Sequence, residues 1–154
     1  MTDLSNKLTN QLHKKLIPTV DIRQGGIYRV ADDPENPIVK FPEDNLPPDH
    51  PKHKRTFHHQ RYVLVIQNNE LNQNPDFTHV QVIPLSSQFR ETTLSAEIPE
   101  QFLAQELPGP SYALVYLSQP ILKIFLTSEV GYVDPSHEVF TKIRAIYLRL
   151  VGLL

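Results

Sequence analysis

Arg61-Tyr-Val-Leu-Val-Ile-Gln-Asn-Asn69 and His79-Val-Gln-Val-Ile-Pro-Leu-Ser-Ser-Gln88 are two apolar, β-branched runs, and their pairing decides how the rest of the chain is read. Residues 61–67 and 79–85 read as strands, and the polar run from Asn68 to Thr78 as the hairpin loop between them. Cross-strand partners in a symmetric antiparallel hairpin keep a constant sum of residue numbers. A loop centred between Gln73 and Asn74 therefore puts Arg61 opposite Ser86, about 5 Å apart at Cα. A slip of one residue would turn the two side chains to opposite faces. In the expected register an anion-binding cation stands beside a hydroxyl at the rim of a small sheet.

Working outward, further strands are expected at 26–30, 93–99 and 111–117, with a short one near 120–126. Their spacing and the Pro/Asn punctuation predict a mainly β fold, a small, strongly bent antiparallel sheet or barrel. Between the first two strands, residues 31–60 hold prolines at 34, 37, 42, 47, 48 and 51 and no glycine. That is too much proline for a regular ladder, and a connection this long is expected to be a functional lid or a disordered insertion. Asp134-Pro135 or Ser136 is expected to cap a C-terminal helix that buries Val139, Phe140, Ile143, Ile146, Tyr147 and Leu150. At the other end, Leu4, Leu8, Leu12 and Leu16 form one stripe over residues 3–16, an amphipathic helix stopped by Pro18. Two readings of it stand: a helix packed on its own domain, or an arm for a partner.

The chain of 154 residues suits one domain, with residues 1–20 as a helical extension and 31–60 as an insertion. A net charge of −2 gives no global attraction to nucleic acid, so any such binding needs a local patch. The absence of cysteine excludes disulfides and thiol chemistry. No apolar run approaches the roughly 20 residues of a membrane span, and the N-terminus lacks an export signal, so a cytoplasmic protein without membrane attachment is expected.

The decamer Lys52-His-Lys-Arg-Thr-Phe-His-His-Gln-Arg61 supplies such a patch, with four permanent cations, three histidines and no acid. Lys52, Lys54 and Arg55 can attract a phosphate backbone through counterion release. Phe57 and Tyr62 can offer faces on which unpaired bases stack. The plainer alternative is a loop kept soluble by its charge. His58 and His59 are the natural titrating groups, with an unperturbed pKa near 6.5, for acid or base work; otherwise they are exposed loop histidines. His50, His53, His58 and His59 offer imidazoles but no preorganised geometry in a proline-rich loop, and no metal site is expected. No glycine pattern for a nucleotide cofactor is present. His13, His79 and His137 are scattered and nominate no site.

With these residues in view, the chain resembles the MazF/PemK/Kid toxins of bacterial type II toxin–antitoxin systems. The likeness rests on Gly25-Gly-Ile-Tyr-Arg-Val30, on Arg61 to Asn69, and on Ile83-Pro-Leu-Ser-Ser-Gln88. Ser111-Tyr-Ala-Leu-Val-Tyr116 and Leu148-Arg-Leu-Val-Gly-Leu153 add weaker matches. The family proline after the arginine is Tyr62 here, and the short glycine-rich first loop is replaced by residues 31–60. Where active members continue with an acidic residue and Ile-Arg-Thr, this chain has Tyr116-Leu-Ser-Gln-Pro120.

The resemblance implies an SH3-like barrel or bent sheet with a C-terminal helix. It also implies a homodimer and a small antitoxin whose C-terminal segment competes with single-stranded RNA for a groove. Carried over by position, Arg61 and Ser86 fall on the family's catalytic arginine and its catalytic threonine or serine. The implied activity is metal-independent RNA cleavage without a cofactor, with a catalytically weakened nucleic-acid- or protein-binding module as the alternative. In such cleavage the 2′-hydroxyl attacks the adjacent phosphorus, and cations stabilise the charge that develops. Arginine suits the latter role because its fork grips phosphate bidentately. Ser86 suits hydrogen-bond donation to the phosphate.

Overall fold

Strands whose residues alternate between two faces form the frame of this protein, and each face has to be covered. The computed structural model describes residues 3–7, 17–31, 37–42, 47, 49, 60–88, 93–104, 107 and 109–154. Seven strands form one antiparallel sheet: β1 (Gly26–Ala31), β2 (Gln60–Val65), β3 (His79–Ser86), β4 (Ser95–Ile98), β5 (Ser111–Leu114), β6 (Gln119–Leu122) and β7 (Leu126–Tyr132). Residues 3–7 are helical (α1), and α2 (Asn69–Gln73) and α3 (Glu138–Leu150) complete the helices among the described residues. The strand order is β4-β5-β3-β2-β1-β7, with β6 paired to β3 off that path. The sheet is therefore bent but not closed into a barrel.

Each face of the sheet carries its own apolar cluster. Ile27, Leu64, Ile83, Leu85, Ala96, Ile98 and Ala113 pack on one side against Phe140, Ile143 and Ile146 of α3. Tyr28, Val30, Val63, Val65, Val80, Val82, Leu114 and Ile121 pack on the other, with Val39 and Phe41. The last two come from the proline-rich connection, so residues 37–42 belong to the core and do not merely span a gap.

Local chemistry explains where the expected elements shift. The hairpin loop contains α2, whose N-cap Asn68 accepts from the Leu71 N–H at 2.9 Å. The strand expected near 120–126 is two strands, because a 3-10 turn at Lys123–Phe125 redirects the chain from β6, beside β3, to β7, beside β1. Helix α3 begins later than expected: His137 is its cap, with Nδ1 accepting from the Val139 N–H at 3.1 Å. Asp134 instead closes the preceding turn, accepting from the Ser136 N–H and hydroxyl at 2.8 and 2.7 Å. Those two bonds hold its carboxyl below the usual range. Leu150 is exposed rather than core, because the helix ends there. Gly152 takes a left-handed φ of 79° and lets the Leu153 N–H reach the Leu148 carbonyl at 2.8 Å, a Schellman closure. Of the N-terminal helix, residues 3–7 are exposed, and residues 8–16 lie outside the described set. No described helix is long and apolar enough to cross a membrane.

The chain ahead of β1 is tied in by polar groups. Tyr28 accepts from the Arg23 N–H at 2.9 Å and donates to the Asp21 carbonyl at 2.8 Å. Arg23 pairs with Glu129 and lies over the Tyr132 ring, 3.5 Å from its centroid. Burial pushes the Tyr28 phenol from 10.0 up to about 12. Gly25 bonds to both sides, its N–H to the Val65 carbonyl at 2.8 Å and its carbonyl to the Val133 N–H at 2.9 Å. Its φ is +88°, and a Cβ there would lie 2.1 Å from the Val133 carbonyl oxygen.

Two outcomes are expected. In urea denaturation Gly25→Ala should cost at least about 3 kcal/mol, because strain and a backbone clash add. Gly152→Ala, which has a left-handed φ but open space around it, should cost only about 1 kcal/mol. Equal costs would refute the clash at Gly25. The raised Tyr28 pKa means that its contribution is complete below pH 10 and is lost as pH rises towards about 12. Tyr28→Phe should flatten that alkaline limb in pH-dependent unfolding.

Candidate functional site

Arg61 is the second residue of β2, and alternation puts it on the face of Val63 and Val65. Strand β1 fixes it from one side through the pair Val30–Arg61. On the other side, β2 and β3 pair as Val63–Pro84, Leu64–Ile83 and Val65–Val82. This is the register expected from the sequence. The ladder ends at Pro84, which has no N–H to donate. Continuing it by two residues sets Arg61 across from Ser86.

Beyond Pro84, β3 changes neighbours, and Ser86 pairs with Tyr112 of β5. Tyr112 in turn pairs with Glu97 of β4. Cross-strand partners share a face. Val80 and Val82 of β3, Leu114 of β5 and Tyr112 itself face the same cluster as Val63, whereas Ala96 and Ile98 turn Glu97 away from the other. Extended by register, one transverse row reads Val30, Arg61, Ser86, Tyr112, Glu97, its Arg61–Ser86 step lying beyond the last paired residues of β2 and β3. It offers a cation, a hydroxyl, a phenol and a carboxylate along a line across the strands. Tyr112 and Glu97 were not nominated by the sequence. Only the strand pairing of residues far apart in the chain aligns them with Arg61.

Ser86 is half-buried, and its Oγ accepts from the Gln88 N–H at 3.1 Å; Ser87 is exposed. Tyr62 alternates to the other face and packs against the α3-side cluster, so it does not join Arg61. Lys52, Lys54, Arg55, Phe57, His58 and His59 lie outside the described residues.

A strap from the connection lies against the row. Val39 and Phe41 are buried while Lys40 between them is exposed, just after a bend at Ile38 and Val39. The Lys40 N–H donates to Gln119 Oε1 at 2.7 Å, and Gln119 Nε2 donates back to the Lys40 carbonyl at 3.0 Å. A single side-chain amide thereby bonds the strap as a neighbouring strand would. The strap carries Phe41 to Arg61, whose Cζ lies over the ring at 4.8 Å from the centroid. Tyr116 and Leu117, just before Gln119, pack against the same cluster.

A second feature lies at the other end of β2. Lys123, only 3 % exposed, donates from Nζ to the carbonyls of Leu71 and Asn74 at 2.7 and 3.0 Å. Burial lowers its pKa. It satisfies the C-terminal carbonyls of α2 and floors a cleft of about 260 Å³ beside Ile17, Ile22 and Phe77. The two carbonyl bonds explain its burial. Among the described residues, no three histidine or acidic side chains gather where they could hold a metal ion.

Comparison with known proteins follows from this fold. The family profile of PemK-like, MazF-like toxins of type II toxin–antitoxin systems matches residues 45–146. An endoribonuclease from a mycobacterial species superposes with a TM-score of 0.55 at 16% identity, over 87% of this chain and 94% of that one. A chain of the MazE–MazF structure from Deinococcus radiodurans gives 0.58 at 11% identity, over 88% and 99%. The Mycobacterium tuberculosis toxin MazF-mt6 gives 0.53 at 19% identity, over 62% and 89%. At these identities the likeness is one of fold. Comparison with curated protein sequences gives no match.

The amide clasp predicts a local effect. In Gln119→Leu, the Lys40 amide should exchange with solvent about five-fold faster, the loss of one hydrogen bond worth about 1 kcal/mol. Amide hydrogen exchange followed by NMR reads this. Unchanged protection at Lys40 would show that the clasp holds nothing.

Proposed function

Because the chain belongs to the PemK-like, MazF-like toxins of type II toxin–antitoxin systems, we propose that it is the toxin of such a pair and cleaves single-stranded RNA without a metal ion. The observation that carries this reading is the β2–β3 register, whose continuation sets Arg61 and Ser86 on one face at the rim of the sheet. Arg61 grips the scissile phosphate with its planar fork and stabilises the charge that builds as the 2′-hydroxyl attacks phosphorus. Ser86 donates a hydrogen bond to a phosphate oxygen. The 5′-oxygen leaves, and the phosphate closes onto the 2′- and 3′-oxygens as a cyclic diester. Proton transfer falls to His58 or His59, which immediately precede β2 in sequence, or to Glu97 at the end of the row. Arginine, with a pKa above about 12, is a poor base.

A related mycobacterial endoribonuclease has been solved with its cognate antitoxin, which supports a small antitoxin as the partner here. We take the working form to be a cytoplasmic homodimer, with the basic stretch Lys52, Lys54, Arg55 and Phe57 extending the RNA contact.

One observation favours the second reading, a weakened binding module. Where active members of the family carry an acidic residue and a second arginine, this chain uses Tyr116, Leu117 and Gln119 to pack and clasp the strap.

Incubation of the purified protein with single-stranded RNA in EDTA separates the two. Cleavage leaving a 2′,3′-cyclic phosphate, with DNA of the same sequence uncut, is expected. Arg61→Ala should lower the rate about a hundred-fold or more. Ser86→Ala should lower it substantially and Ser87→Ala little, since neighbours on a strand face opposite ways. Glu97→Gln and the pair His58→Ala/His59→Ala assign the proton-transfer group by which of them alters the pH–rate profile. Binding without cleavage would establish the module, and near wild-type cleavage by Arg61→Ala would remove Arg61 from the site.

A further inference from the structure

Arginine has four rotatable side-chain bonds, and an arginine that must grip a phosphate does so best when its rotamer is fixed beforehand. The face of an aromatic ring can fix it, by attracting the guanidinium.

Arg61 meets such a ring. Phe41 is buried, its ring centroid 4.8 Å from the Arg61 Cζ. The ring is itself held in place, since Val39 is fully buried two residues before it and the Lys40 main chain is bonded in both directions by Gln119. The strap thus covers the sheet with Val39 and brings its second inward residue, Phe41, onto the one arginine of the row.

Resting on the cleavage reading above, we propose that Phe41 is a positioning residue for Arg61. The strap 37–42, clasped by Gln119, presents the ring so that the guanidinium is set for the RNA phosphate before substrate arrives. The proline-rich connection thus supplies part of the site from within this chain.

Phe41→Leu tests this, because leucine keeps most of the apolar filling but removes the aromatic face. Thermal unfolding confirms that the variant folds. Expected is a kcat on single-stranded RNA about ten-fold lower with KM within about two-fold, the loss of one desolvated cation–π contact. Phe41→Tyr, which retains the ring, should restore the rate to within about two-fold. In an Arg61→Ala background Phe41→Leu should cause no further loss. Wild-type kcat in Phe41→Leu would overturn the proposal, as would equal impairment of the leucine and tyrosine variants.

A second readout is independent of catalysis. The Arg61 Nε–Hε NMR signal, identified by its loss in Arg61→Lys, should shift in Phe41→Leu and stay in place in Phe41→Tyr. If the wild-type protein cuts no RNA, the cleavage reading falls and this signal alone decides the positioning role. A signal unmoved by Phe41→Leu would overturn it.

Discussion

Strand β3 has to serve three neighbours, and this demand shapes the molecule. Its first half pairs with β6, its last two residues with β5, and its centre with β2 on the opposite edge. A flat strand cannot be shared in this way between two neighbours on one edge, so the sheet bends where β6 gives way to β5. Pro84, lacking an N–H, stands at that point and ends the β2 ladder. The two faces of the bent sheet need separate cover. Helix α3 fills one with Phe140, Ile143 and Ile146. The strap fills the other with Val39 and Phe41. The transverse row from Arg61 to Glu97 crosses the sheet at this same bend, where main-chain pairing is interrupted and polar side chains can converge.

Much of this architecture was legible because its signals were local. The apolar, β-branched runs at 61–67 and 79–85 marked both strands, and the symmetry of the loop set their register even though α2 occupies part of it. The helical stripe at Phe140, Ile143 and Ile146 was equally plain. Strand β7 was not, for a physical reason. Its ladder with β1 is interrupted between Ile27 and Tyr28 and again between Arg29 and Val30. Each interruption shifts the inside–outside period, which blurs the pattern that sequence reading depends on. His137 escaped notice as a helix cap because its ring nitrogen does the work commonly given to serine or aspartate.

The candidate site divides in the same way. Arg61 and Ser86 were visible as the two ends of one hairpin. Tyr112 and Glu97 could not be, since they reach the row through strands far away in sequence. Tyr62 neighbours Arg61 in the chain, yet strand alternation sends it to the α3 side. Phe41 was hidden by its setting. Two buried residues separated by an exposed lysine are too short a pattern to stand out among prolines, and their cover, Gln119, lies 79 residues from Lys40.

That glutamine grips main chain and ignores the side chain of its partner. A clasp of this kind is indifferent to what stands at position 40, and equally to how much chain lies on either side of it. It divides the run from β1 to β2 into two separate tethers, residues 32–36 and 43–59, each with both ends fixed. Closing a tether costs free energy only as the logarithm of its length. Descendants of this sequence can therefore lengthen, shorten or recharge the second tether, with its cluster of lysines and histidines, while the aromatic ring keeps its place beneath the arginine. The clasp thus lets the length of chain ahead of β2 change without moving the ring.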